Sequence, residues 1–178
     1  PGRKASGKPY NGRFFAPFSA ARARQYDTAF AEWEARKDGD LKDYWPQSAI
    51  PIGAEIGPHD VEGHHYSHWW AMFNPRQLLI LAQILKAIVN LGNYDWTIRE
   101  YVLGALQQYL RNQNSFCFWD IGYDKLVPHM SNSNFHPKSN VIENCVFSAL
   151  GRGNWAACVE GIIEGREWAL EPWEVVSL

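Results

Sequence analysis

Sulfur is scarce in this sequence, and what there is does not pair. Three cysteines, Cys117, Cys145 and Cys158, stand far apart in apolar surroundings. An odd number at such spacing argues against a disulfide scaffold, and there is no CxxC knuckle for a thiolate-bound metal. They read as reduced core residues of a cytoplasmic protein. No apolar run reaches membrane-spanning length, and the N-terminus lacks the hydrophobic segment of a signal peptide. Acids are missing from residues 1 to 24, which hold Arg3, Lys4, Lys8, Arg13, Arg22 and Arg24. From Val141 onward the balance reverses, with six acids against Arg152 and Arg166. A basic arm and an acidic end are the reading. An initiating Met is also missing, because the chain opens on "PGRKASGKPYNGRFF"; the expectation is a processed product or, in preference, a piece of a longer protein.

What is present suits a globular domain. The 178 residues are 46% hydrophobic and 20% charged, with a net charge of −2, so one soluble domain with a real core is expected. Nine Trp anchor cores and stack on bases alike, so their number selects no function.

Residues 1–18, rich in Gly, Pro and basic side chains, read as an extended arm, and residues 19–178 as a single domain. Ser19 caps a helix through "AARARQYDTAFAEWEAR", with Tyr26, Phe30 and Trp33 on one face and a stop at "DGD". "DYWPQSAIPIGAEIGP" reads as an extended segment or short edge strand. In the next helix Asn74 is the N-cap, Pro75 the first helical residue and Gln77 the partner of a capping box, with Phe73 and Leu78 spaced as a hydrophobic staple. Leu78, Leu81, Leu85 and Ile88, joined by Ile80, Ile84 and Leu91, make it apolar over much of its circumference, which requires burial. Thr97 and Glu100 have capping-box spacing before "IREYVLGALQQYLRN", whose stripe runs Ile98, Tyr101, Val102, Ala105, Leu106, Tyr109, Leu110. The short connection makes these two helices antiparallel neighbours. An irregular stretch rich in Asn and Ser precedes two further helical runs, "VIENCVFSAL" and "WAACVEGIIEGREWAL", joined by "GRGN". The fold class is therefore mainly α: antiparallel helix pairs, long irregular loops, an extended N-terminal arm, and room for one or two short strands.

Four of the six histidines, His59, His64, His65 and His68, fall within ten residues. His64 and His68 have i, i+4 spacing and His59 or Asp60 could complete a zinc site, but "HHYSH" lacks the Glu of HExxH. The preferred reading is a polar loop that feeds Trp69, Trp70 and Phe73 into the core, with no metal. Cys145 with His136 makes a poor nucleophile pair, because the cysteine lies on a core-facing helical run. "GRGN" is too short to cradle a phosphate and follows a helix rather than a strand. Asn112, Asn114 and Ser115, then Asn132, Ser133 and Asn134, offer hydrogen-bonding groups to nucleic acid but read first as turn formers.

"FNPRQLLILAQILKAIVN", with "GKPYNGRFF" before it and "NQNSFCFW" and "NVIENCVFSALGRGNW" after it, resembles the central region of large bacterial and archaeal adenine-specific DNA methyltransferase-like proteins. These carry a domain of unknown function and often a zinc ribbon. The phrase Asn74–Leu79 is the most specific part. In that family an FxGxG-like turn binds S-adenosylmethionine and a (D/N)PPY loop holds the target adenine; this chain has neither, since "GRGN" and "EPWE" do not fit. The resemblance implies a segment between those motifs, with no catalytic or cofactor residue of its own and S-adenosylmethionine bound elsewhere in the parent protein. It also implies a restriction-modification setting, with DNA and the remaining parent domains as partners.

The leading expectation is a non-catalytic DNA-binding or target-recognition segment, with Arg3, Lys4, Lys8, Arg13, Arg22, Arg24 and Arg76 as phosphate contacts. Arg76 qualifies because it sits in the first turn of its helix, and its alternative is an ion pair with a nearby acid. The rival expectation is an interaction module docking on the methyltransferase core through Trp168, Trp173 and the "VVSL" tail. A metal-dependent hydrolase built on the histidine loop is the third.

Overall fold

The structure is a computed structural model, and it describes residues 17–51, 66–92, 94–120, 125–128, 142, 143, 146 and 153–170. The described part is mainly helical.

Helix α1, Ala20–Arg36, begins at Ser19, whose hydroxyl accepts from the Arg22 N–H, as the sequence leads one to expect. Of its apolar face only Trp33 is buried; Tyr26 is half-buried and Phe30 is exposed. Trp33 meets Trp45 edge to face, with ring centroids 5.4 Å apart, and the Trp45 indole N–H donates to the Lys37 carbonyl at 3.0 Å. The chain then turns through a 3-10 segment, Lys42–Tyr44, and forms a single antiparallel bridge between Ala49 and His68. Among the described residues that bridge is the extent of the expected edge strand; residues 52–58 of the segment lie outside them.

Helix α2, Pro75–Val89, is the hub. Its capping box is complete: the Asn74 side chain accepts from the Gln77 N–H at 2.9 Å, and Gln77 Oε1 accepts from the Asn74 N–H at 3.0 Å. Leu78, Leu79 and Ala82 pack against α1 with Trp33 and Leu41, whereas Leu81 and Ile88 pack against the next helices. An all-round apolar helix is thus explained by neighbours on two sides. Each fully buried Leu contributes about 1.5–3 kcal/mol relative to exposure.

Helix α3, Trp96–Leu110, is antiparallel to α2: Arg99 near its start donates to the Leu91 carbonyl at 2.8 Å, and Tyr109 near its end shares a small cavity with Gln77. The expected Thr97–Glu100 capping box does not form. The helix starts two residues earlier with Asp95 at the cap, and Glu100 accepts instead from the Trp96 indole N–H at 2.9 Å. The apolar stripe is also shorter than expected. Ile98 and Tyr101 are exposed, and packing begins at Val102, where α2 and the last helix cover the face.

After α3, Asn114 organises a buried turn, and a short antiparallel hairpin follows, β1 Phe118–Asp120 with β2 Lys125–Val127. Most of "VIENCVFSAL" lies outside the described residues. Helix α4, Trp155–Leu170, lies along α3 in the opposite sense. Trp155 meets Tyr109 near the end of α3, and Ile162 lies over Gly104 nearer its start. No described helix is long and apolar enough to cross a membrane.

Candidate functional site

The expected phosphate contacts separate into three groups. Arg3, Lys4, Lys8 and Arg13 lie outside the described residues. Arg22 and Arg24 stand exposed at the start of α1, and neither guanidinium has an ion-pair partner among the described residues. The first turn of α1 holds no acid, so the positive end of the helix dipole and the two arginines share one charge sign. Other cations are engaged: Arg36 pairs with Glu32 and Asp40, Lys37 with Glu34, and Lys86 with Asp40 at 2.7 Å.

Arg76 forms the third group. Its Nε donates to Glu143 at 2.7 Å, and its guanidinium lies 5.3 Å from the centroid of the Tyr26 ring. Asn74 Nδ2 donates to the other Glu143 oxygen at 2.6 Å. The arginine thus takes the ion-pair option and ties α1, α2 and the Glu143 segment together at one corner. Burial pushes the Tyr26 phenol up, with Glu143 adding to the rise and Arg76 opposing it.

Between the 3-10 segments Lys42–Tyr44 and Trp69–Met72, α2 and α3 lies an apolar recess of about 630 Å³. Trp45, Trp69, Met72, Phe73, Leu81 and Leu106 are among its walls, with Asp43, Gln107 and Arg111 as polar members. Its size falls within the range of small-molecule sites. It can bind, but no Ser, Cys, His or Lys lines it, so its described walls offer no nucleophile–base pair.

Of the histidine cluster, only His68 is described. It is half-buried, bridges to Ala49, stacks on Trp70 at 6.0 Å and lies 2.8 Å from the Ser67 hydroxyl through Nδ1. His59, His64 and His65 lie outside the described residues, as do His136 and Cys145. Among the described residues no three His, Cys, Asp or Glu side chains converge as a metal site. Cys117 and Cys158 are buried free thiols, both pushed up by burial.

The Asn-rich loop resolves into structure where it is described. Asn114 is buried; its Oδ1 accepts from the Phe116 N–H at 2.9 Å, and its Nδ2 donates to the Leu110 and Arg111 carbonyls at 3.2 Å. It is a turn former. The Ser115 N–H donates to the Met72 carbonyl at 2.8 Å, and Asn112 packs beneath Gly153. Asn132, Ser133 and Asn134 lie outside the described residues.

"GRGN" ends as a helix cap. Gly153 has φ 80, and a Cβ there would stand 2.6 Å from Asn112 Nδ2. Asn154 is buried, and its Oδ1 accepts from the Ala157 N–H at 2.8 Å. Asn154 thus takes up a first-turn N–H of α4 as its cap.

Sequence reasoning named Trp168 as a docking residue but missed the exposed apolar residues at the start of α3. Tyr94, Trp96, Ile98 and Tyr101 are exposed at the start of α3, and Ile163 and Trp168 are exposed on α4, whose end lies alongside. Trp173 and the "VVSL" tail lie outside the described residues. No family model matches the chain, and no curated protein or solved structure matches it either.

Proposed function

We propose that this chain is a non-catalytic DNA-binding segment of an adenine-N6 DNA methyltransferase-like protein, working in the cytoplasm in a restriction-modification setting. The observation that carries the reading is the start of α1. Arg22 and Arg24 are exposed and unpaired among the described residues, the first turn of α1 holds no acid, and residues 1–18 before it carry Arg3, Lys4, Lys8 and Arg13 without an acid. Placing cations at the positive end of a helix costs about 0.3–1 kcal/mol unless an anion is bound there. A phosphate backbone supplies that anion. A methyltransferase must extrude its target base, and a packed helical support beside the duplex can hold the distorted DNA meanwhile. S-adenosylmethionine and the bond-making residues then belong to the rest of the parent protein.

The test is binding of a short duplex by fluorescence anisotropy. Affinity should fall steeply with salt and fall again in the Arg22→Glu/Arg24→Glu variant. Absence of binding at low salt would remove the reading.

A second reading rests on the exposed ring cluster of α3 and α4. An apolar patch of that kind marks an interaction surface, so the module would dock through it on the remaining domains of the parent protein. Association lost on Trp96→Ser/Tyr101→Ser, with no DNA binding by the parent chain, would favour it.

A further inference from the structure

Gln77 is almost completely buried, and only half of its amide has a described partner. Its Oε1 accepts from the Asn74 N–H in the capping box. That bond fixes the amide, because rotating it by half a turn would place two donors face to face. Nε2 must therefore point the other way, where it has no partner among the described residues. A buried donor left unmade costs about 1–3 kcal/mol, so native proteins rarely tolerate one.

Gln77 lines a small, partly open cavity with Ile80, Leu81, Tyr109, Gln113 and Glu143. The space open to the centre of a water molecule is about 10 Å³, which is at the lower limit for one water. The occupant must accept from Gln77 Nε2, which excludes a bare cation as its partner. It must also sit beside the Glu143 carboxylate, which disfavours an anion. A single neutral molecule that both accepts and donates meets these conditions.

We propose that this cavity is a binding site for one resident water, which accepts from Gln77 Nε2 and donates to the Glu143 carboxylate. Glu143 is then held by three donors, Asn74, Arg76 and the water. The corner where α1, α2, α3 and the Glu143 segment meet becomes a hydrated latch rather than a simple ion pair. The water gives the long-range Arg76–Glu143 contact a link to the local capping box, since Gln77 serves both.

The experiment is water–protein NOE and ROE spectroscopy on isotopically labelled protein, together with oxygen-17 relaxation dispersion of the wild type and Gln77→Met. A cross-peak from long-lived water to the Gln77 amide protons, and a dispersion amplitude lower by one water in the folded variant, are expected. A folded wild type without that cross-peak overturns the proposal, as does an unchanged amplitude in a folded Gln77→Met. If the variant does not fold, the wild-type cross-peak alone decides the matter.

Discussion

Arg76→Ala distinguishes a structural arginine from a DNA-contacting one. The substitution removes a charge-assisted hydrogen bond to Glu143 at 2.7 Å and the guanidinium beside the Tyr26 ring at 5.3 Å. The side chains are 35% and 21% exposed, between the surface and buried regimes. Surface pairs contribute about 0.2–1 kcal/mol, whereas breaking a buried pair costs about 3–5 kcal/mol. Glu143 keeps the Asn74 bond at 2.6 Å and is not left bare, which argues for the lower part of that interval. Adding about 0.5–1 kcal/mol for the lost ring contact, the expected loss is about 2 kcal/mol. In a chain of this size that lowers Tm by about 4–8 °C. Urea unfolding of Arg76→Ala, Glu143→Gln and the double variant gives the coupling energy directly, expected at about 1–2 kcal/mol. The Tyr26 phenol should also titrate higher in Arg76→Ala, because the guanidinium opposes its rise. An unchanged stability, with a DNA salt slope reduced by about 0.9, would refute the reasoning and return Arg76 to the phosphate contacts.

Three further outcomes follow from geometry. Gly161 and Gly165 lie inside α4 with nothing within 4 Å of a built Cβ, so Gly161→Ala and Gly165→Ala should each stabilise by about 1 kcal/mol in thermal unfolding. Hydrogen bonds from Arg36 and Lys86 hold the Asp40 carboxyl well below the usual carboxylate range. A depressed folded value means the contribution is present above the unfolded value, about 3.9, and is lost as pH falls through the folded one; Asp40→Asn should flatten the stability profile below about pH 4. Cys117 and Cys158 should react slowly with a thiol reagent at mildly alkaline pH and rapidly in denaturant, mapped by mass spectrometry; fast labelling of either in the native protein would contradict its burial.

What could be read from the sequence was what neighbours in the chain decide. The Asn74–Pro75–Gln77 cap needs only adjacent residues, and it formed as the pattern implied, with α2 apolar all round because two packing partners surround it. The same rule failed at Thr97–Glu100, where an indole N–H competed for the carboxylate and Asp95 took the cap position. Periodicity placed Ile98 and Tyr101 on the correct stripe of α3 but could not show that cover begins only at Val102. Glu143 lies 67 residues from Arg76, so no local signal joins them. The recess beside Trp45 and Trp69 is likewise assembled from separate elements. The composition of the first turn of α1 was legible; that Arg22 and Arg24 stay free of acids required the tertiary structure.

The salt dependence of duplex binding tests the functional account most directly, comparing wild type with Arg22→Ala/Arg24→Ala. If both arginines neutralise phosphates, the slope of log affinity against log salt becomes shallower by about 1.8, while the unfolding midpoint stays within experimental error. Identical slopes for the two proteins would contradict the assignment of α1 as the DNA-facing element.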